Sequence, residues 1–177
     1  MFYGFFCATL PELVCGTPPE LSLAEFDIMA KAELSPKRFK ELCSMDEYSD
    51  GQNLPEIYQE MRKFDRFLQL RIAERRAEKL GRVTELPLPE EYHTDVDFAL
   101  PAAANADDPR ERERLVDKIR WMKIDDLEGC HNQDFTTLCA YRLRLKMLEK
   151  YRKRNDSDGC TIFENTVSRL ASPIDKM

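Results

Sequence analysis

The sequence predicts a mainly α protein, a bundle of about five to six amphipathic helices, and three observations predict it. Apolar residues recur at three- and four-residue steps over long stretches, helix-start signals precede those stretches, and no sustained apolar–polar alternation competes with them. The chain has 177 residues, 42% hydrophobic and 34% charged, enough to bury a core without disulfide or metal staples. The expected organisation is one helical domain over 1–172, with a long connector at 82–107 and a frayed tail at 173–177.

The opening, MFYGFFCATLPELVCG, raises the question of an export signal. No Lys or Arg precedes Lys31, Pro11 and Glu12 interrupt the apolar run, and bulky Val14 stands before Cys15 where a small residue is wanted. The opening aromatics are therefore expected to belong to the core, although their local structure is ambiguous between strand and helix. No stretch approaches the roughly 18–20 uninterrupted apolar residues of a membrane span, so the expected location is the cytoplasm with no direct membrane insertion.

Ser22-Leu23-Ala24-Glu25 is a capping box, which predicts a helix to about Glu33. Ser35-Pro36 repeats the start signal for a shorter helix to about Met45, and polar 46–53 with Gly51 reads as a loop. From Pro55 to Leu80, Ile57, Met61, Phe64, Leu68, Ile72 and Leu80 share one helical face, and Gly81 is placed to end the helix. The stretch 82–107, with Pro87, Pro89, Pro101 and the run Ala102-Ala103-Ala104, shows no sustained period and reads as connector.

Asp108-Pro109-Arg110-Glu111 combines an acidic cap with proline at the first helical position, and the helix it opens runs to about Glu128 before Gly129. Its apolar residues, among them Leu115, Ile119, Trp121 and Ile124, are too widely spread for one narrow stripe, so it is expected to pack on more than one side. Asp134 caps the next helix, from Phe135 to about Arg154. Asp156-Ser157-Asp158-Gly159 then makes a turn, and a last helix carries Ile162, Phe163, Val167 and Leu170. Trp121, Leu145, Leu148 and Phe163 are the expected core anchors.

Chemistry is hard to assemble from these residues, and no cofactor is expected. The two histidines, His93 and His131, belong to no nucleophile or metal motif, and the six glycines are scattered singly, so none forms a phosphate-cradling loop. The six cysteines include no CxxC and read as reduced thiols. Cys130, His131 and Cys139 fit no common zinc spacing. A net charge of −6 speaks against general nucleic-acid binding. Asp125, Asp126 and Glu128 read as a solvated acidic patch. Arg142, Lys146, Lys150 and Lys153 lie on one side of their helix, and they are the candidate partner-contact residues, with a solvated face as the alternative.

One combination of segments carries a resemblance. It comprises the aromatic opening with Ala8-Thr9-Leu10-Pro11-Glu12-Leu13, then Asp108-Pro109-Arg110-Glu111-Arg112-Glu113 with Ile119-Arg120-Trp121 and Leu127-Glu128. Leu138-Cys139-Ala140-Tyr141-Arg142-Leu143-Arg144-Leu145 and Leu148-Glu149-Lys150 complete it. Together these resemble small proteins encoded within bacterial V-type ATPase operons, a group similar to the C-type subunit of the V/A-type ATPase and to its d-type counterpart in eukaryotes. The resemblance implies part of the C-type fold. It further implies a non-catalytic adaptor, assembly or regulatory factor whose partners are ATPase subunits of the central stalk or rotor ring, peripheral to the inner membrane through that complex. Two alternatives stand beside it: a generic helical interaction module, and a small metal-dependent enzyme built from Asp125, Asp126, His131 and nearby cysteines.

Overall fold

Every helix-start signal that falls in the described residues opens a helix. The computed structural model describes residues 3–46, 54–82, 92–153 and Thr166. Among them are seven α-helices and no strand: α1 (Gly4–Thr9), α2 (Leu23–Glu33), α3 (Pro36–Cys43), α4 (Glu56–Lys79), α5 (Thr94–Asn105), α6 (Pro109–Glu128) and α7 (Phe135–Lys153).

The caps are the ones the sequence specifies. Ser22 accepts from the Glu25 N–H at 3.2 Å while the Ser22 N–H donates to the Glu25 carboxylate at 2.8 Å, closing the reciprocal box at the start of α2. Ser35 caps α3, Asp108 accepts from the Arg110 N–H at 2.9 Å, and Asp134 accepts from the N–H groups of Thr136 and Thr137. At the far end of α4, Gly81 takes φ +64°, with open space where a Cβ would sit, so the backbone conformation alone selects glycine there.

α6 lies centrally, packed against α4, α5 and α7, as its broad apolar distribution requires. α7 packs in addition on α2 and α4, and α2 on α3. The buried cluster runs continuously from Phe6, Phe26 and Leu42 through Phe64 and Leu68 to Ile124, Leu138 and Leu145. An aromatic column threads one end of it: Phe6 stacks on Phe26 with centroids 6.0 Å apart, and Phe26 on Tyr141 at 5.3 Å. The N-terminal segment is tied to α7 by the Tyr141 hydroxyl, which donates to the Pro11 carbonyl at 3.0 Å, and to the loop before α7 by the Tyr3 N–H, which donates to the Gln133 carbonyl at 2.6 Å.

Three expectations need correction. The ambiguous opening is the short helix α1, which buries Phe6 and leaves Phe5 81% exposed. The connector at 82–107 contains α5. This helix buries Val96, Leu100 and Ala103 at four- and three-residue steps despite Pro101 in its interior, a residue that typically costs a helix about 3 kcal/mol. Packing on α4 and α6 outweighs the proline, together with a cross-brace in which Arg71 of α4 donates to Asp97 of α5 through Nε at 2.8 Å and Nη2 at 2.5 Å. Finally, Trp121 is only partly buried and lies outside the contiguous core, at the margin of α6's buried face, with the Arg144 guanidinium 5.5 Å from its ring centroid. Leu145 and Leu148 are buried as expected. Phe163 and the last helix fall outside the described residues.

The Arg71–Asp97 brace should be visible in a pH profile. Partial burial pushes the Asp97 carboxyl up, but hydrogen bonds from the Tyr92 hydroxyl and from Arg71, with the arginine's charge, outweigh it and hold the group below its usual value. A depressed folded-state value means the brace stabilises the fold above the unfolded-state value, and that contribution is lost as pH falls through the folded one. Asp97→Asn is therefore expected to lower the melting temperature at neutral pH, with the difference from wild type closing on acidification. A difference constant across pH would assign the loss to packing and not to the charge.

Candidate partner-docking surfaces

The basic side of α7 is where the sequence places a partner surface, and the structure turns much of it inward. Arg142 is 1% exposed and donates to Asp27 of α2 through Nε at 2.9 Å and Nη2 at 3.0 Å, a bidentate pair across the α2–α7 contact. Lys150 is partly buried and reaches two carboxylates of α6, Glu113 at 3.1 Å and the 1%-exposed Asp117, which also accepts from the Tyr151 hydroxyl at 2.6 Å. Lys146 is exposed. The Lys153 side chain lies outside the described residues. Arg142 is thus corrected from docking residue to internal cross-link: α7 sits between α2 and α6, and both neighbours present carboxylates to it.

The acidic patch at the end of α6 is explained the same way. Arg144 donates to Asp125 at 2.5 Å and pairs with Glu128 at 2.6 Å. His131 pairs through Nδ1 with Asp134 at 2.7 Å; burial pushes the Asp134 carboxyl up, but this hydrogen bond, the N–H groups of Thr137 and Thr136 and the imidazole together outweigh it and keep the group below its usual value. Burial pushes the Cys139 thiol up to about 12, so at neutral pH it is protonated. Among the described residues, no group of three or more His, Cys, Asp or Glu side chains is arranged to hold a metal ion.

A different basic surface emerges where α4, α5 and α6 meet. There a trough of about 400 Å³ has Ile72, Leu100, Ala103 and Val116 as its apolar floor. Arg75, Arg76 and Lys79 of α4 line one wall, Arg112 and Arg120 of α6 the other, and Glu113 is the one carboxylate among the lining residues. Arg120 is held at one end by Asp65 at 2.7 Å and Asp117 at 3.5 Å, and Arg75 pairs with Glu78 of its own helix at 3.3 Å, so Arg76, Lys79 and Arg112 carry most of the trough's uncompensated charge. At the other end Lys79 donates to the Ala104 carbonyl and Arg112 to the Ala106 carbonyl at 2.8 Å, contacts that consume hydrogen bonds without cancelling charge. Comparison with family models, curated proteins and solved structures returned no match. The geometry and the sequence are therefore the whole basis for a functional reading.

Part of this trough was written in the sequence. Arg75, Arg76 and Lys79 fall within five residues at the C-terminal end of α4, with Glu78 among them. What the linear pattern lacks is the second wall, which comes from a helix that reads as an independent element, and the part of the floor that comes from α5, a helix the proline conceals.

Proposed function

We propose that this chain is a non-catalytic helical adaptor, assembly or regulatory component of a bacterial V/A-type ATPase, acting at the central stalk. The resemblance of its sequence segments to small proteins encoded within bacterial V-type ATPase operons supports the choice of complex, and its helical build is compatible with that choice. The observation that supports a docking role is the trough: in a chain of net charge −6, cations from two helices gather on one concave, apolar-floored surface. Such a local asymmetry steers an acidic partner and sets its approach more than its final affinity.

The reading is tested by recovering purified central-stalk subunits on the immobilised protein. Wild type should retain them, and the variant Arg75→Gln/Arg76→Gln/Lys79→Gln/Arg112→Gln should recover far less at low salt, with the gap narrowing as salt rises. These residues are at the surface, so folding should be unaffected. Equal recovery by both proteins would exclude the trough as the docking surface. No recovery by wild type would leave a helical interaction module without the ATPase.

A further inference from the structure

The shape of the trough narrows its occupant beyond an acidic surface in general. Gln69 and Lys79 mark its two ends along α4, and Arg120 and Pro109 the corresponding ends along α6. The two helices run in opposite directions there, since Arg120 meets Asp65 while Lys79 reaches the end of α5, just before the turn into Pro109. At 1.5 Å per residue each wall is about 15 Å long, roughly three helical turns. The cations are strung along that length and do not converge on one point, as they would around a compact phosphate or carboxylate ligand.

The floor adds the second constraint. Ile72 and Val116 are only partly buried, each packed against the core on one side and facing the trough on the other. Ala103 and Ala104 of α5 supply small side chains where larger ones would fill the space. A nucleic-acid backbone would match the cations but has no apolar face to complete this floor, and the overall charge of −6 opposes it.

We propose that the trough receives an acidic amphipathic helix of about three turns, presented by a partner protein. Its apolar stripe packs on Ile72, Ala104 and Val116, and its flanking carboxylates meet Arg75, Arg76 and Lys79 on one side and Arg112 on the other, the helix-in-groove mode of recognition. The aliphatic stems of the arginines extend the apolar walls, and the guanidinium groups of Arg75 and Arg112 exchange their contacts with Glu78 and the Ala106 carbonyl for the partner's carboxylates. This rests on reading the chain as an interaction protein, and it names the chemistry of the partner independently of the ATPase.

The test uses the full chain and synthetic peptides of about twelve residues. The probe peptide carries Leu at i, i+3, i+4 and i+7 with Glu on the remaining face. Its control has the same composition, shuffled so that no apolar stripe forms. Methyl resonances of Ile72 and Val116 should shift on titration with the probe while those of buried Leu145 and Leu148 stay in place, and the shuffled peptide should bind at least about tenfold more weakly.

Ala104→Trp, which fills the trough without touching a charge, should weaken the probe about as much as the quadruple glutamine variant. Only the glutamine variant should flatten the salt dependence. Equal binding of probe and shuffled peptide, shifts located elsewhere, no binding by the probe, or indifference to Ala104→Trp would each overturn the assignment. The methyl map on wild type stands even if the tryptophan variant folds poorly. Stalk subunits that bind an Ala104→Trp protein as they bind wild type would defeat the trough and leave the ATPase reading intact. Probe binding without stalk recovery would do the reverse.

Discussion

Asp27→Ala is expected to destabilise the protein by about 3 kcal/mol, the lower end of what breaking a buried ion pair typically costs. The bidentate contact it removes serves a guanidinium that water cannot reach, Arg142 being 1% exposed. The carboxylate is the more accessible partner, at 27% exposure, so the reciprocal change Arg142→Met should cost less: the charge left behind can be hydrated, and the methionine stem occupies much of the vacated space. For a chain of this size, about 3 kcal/mol corresponds to a fall in melting temperature of roughly 6–12 °C. Thermal unfolding of the two single variants and of Asp27→Leu/Arg142→Met checks the argument. The double variant should recover most of the loss, because replacing both members of a buried pair by apolar groups is often near neutral. An Asp27→Ala protein as stable as wild type would return Arg142 to the status of an ordinary surface cation.

That pair also shows where reading the sequence stops working. The spacing of Arg142, Lys146 and Lys150 correctly groups them on one side of α7, because helical periodicity is local. Whether such a side meets solvent or another helix depends on carboxylates far away in the chain: Asp27 is 115 residues from Arg142, and Glu113 is 37 from Lys150. The same division separates the helices that were legible from those that were not. α2, α3, α6 and α7 announce themselves through caps within a few residues of their own first turn. α5 has no side-chain cap at His93, contains Pro101, and draws its support from Arg71 in α4 and from α6. α1 has only six residues, too few for a periodic signal or for helical stability of its own. The trough inherits both difficulties, one wall being local to α4 while the floor is completed by residues of α5 and α6.

Leu145→Ala should have a comparable effect for a purely apolar reason. Leu145 is 0% exposed and belongs to the contiguous core where α7 meets its neighbours. Truncating a buried leucine typically costs about 2–5 kcal/mol, the transfer of the lost methyl groups plus the cavity they leave, and the value depends on how far the surroundings collapse. Collapse is restricted here, because α7 is cross-linked to α2 through Arg142–Asp27 and to α6 through Arg144–Asp125 and Lys150–Glu113, so the helix cannot move freely to fill a void. The upper half of the range is therefore expected. Lys146, one residue on and about 100° around the helix, is exposed, and Lys146→Gln should change stability by no more than about 1 kcal/mol. Chemical denaturation of the two variants is a direct check on the orientation of α7: similar losses at both positions would mean the helix is rotated from the arrangement described, and with it the inward placement of the basic side.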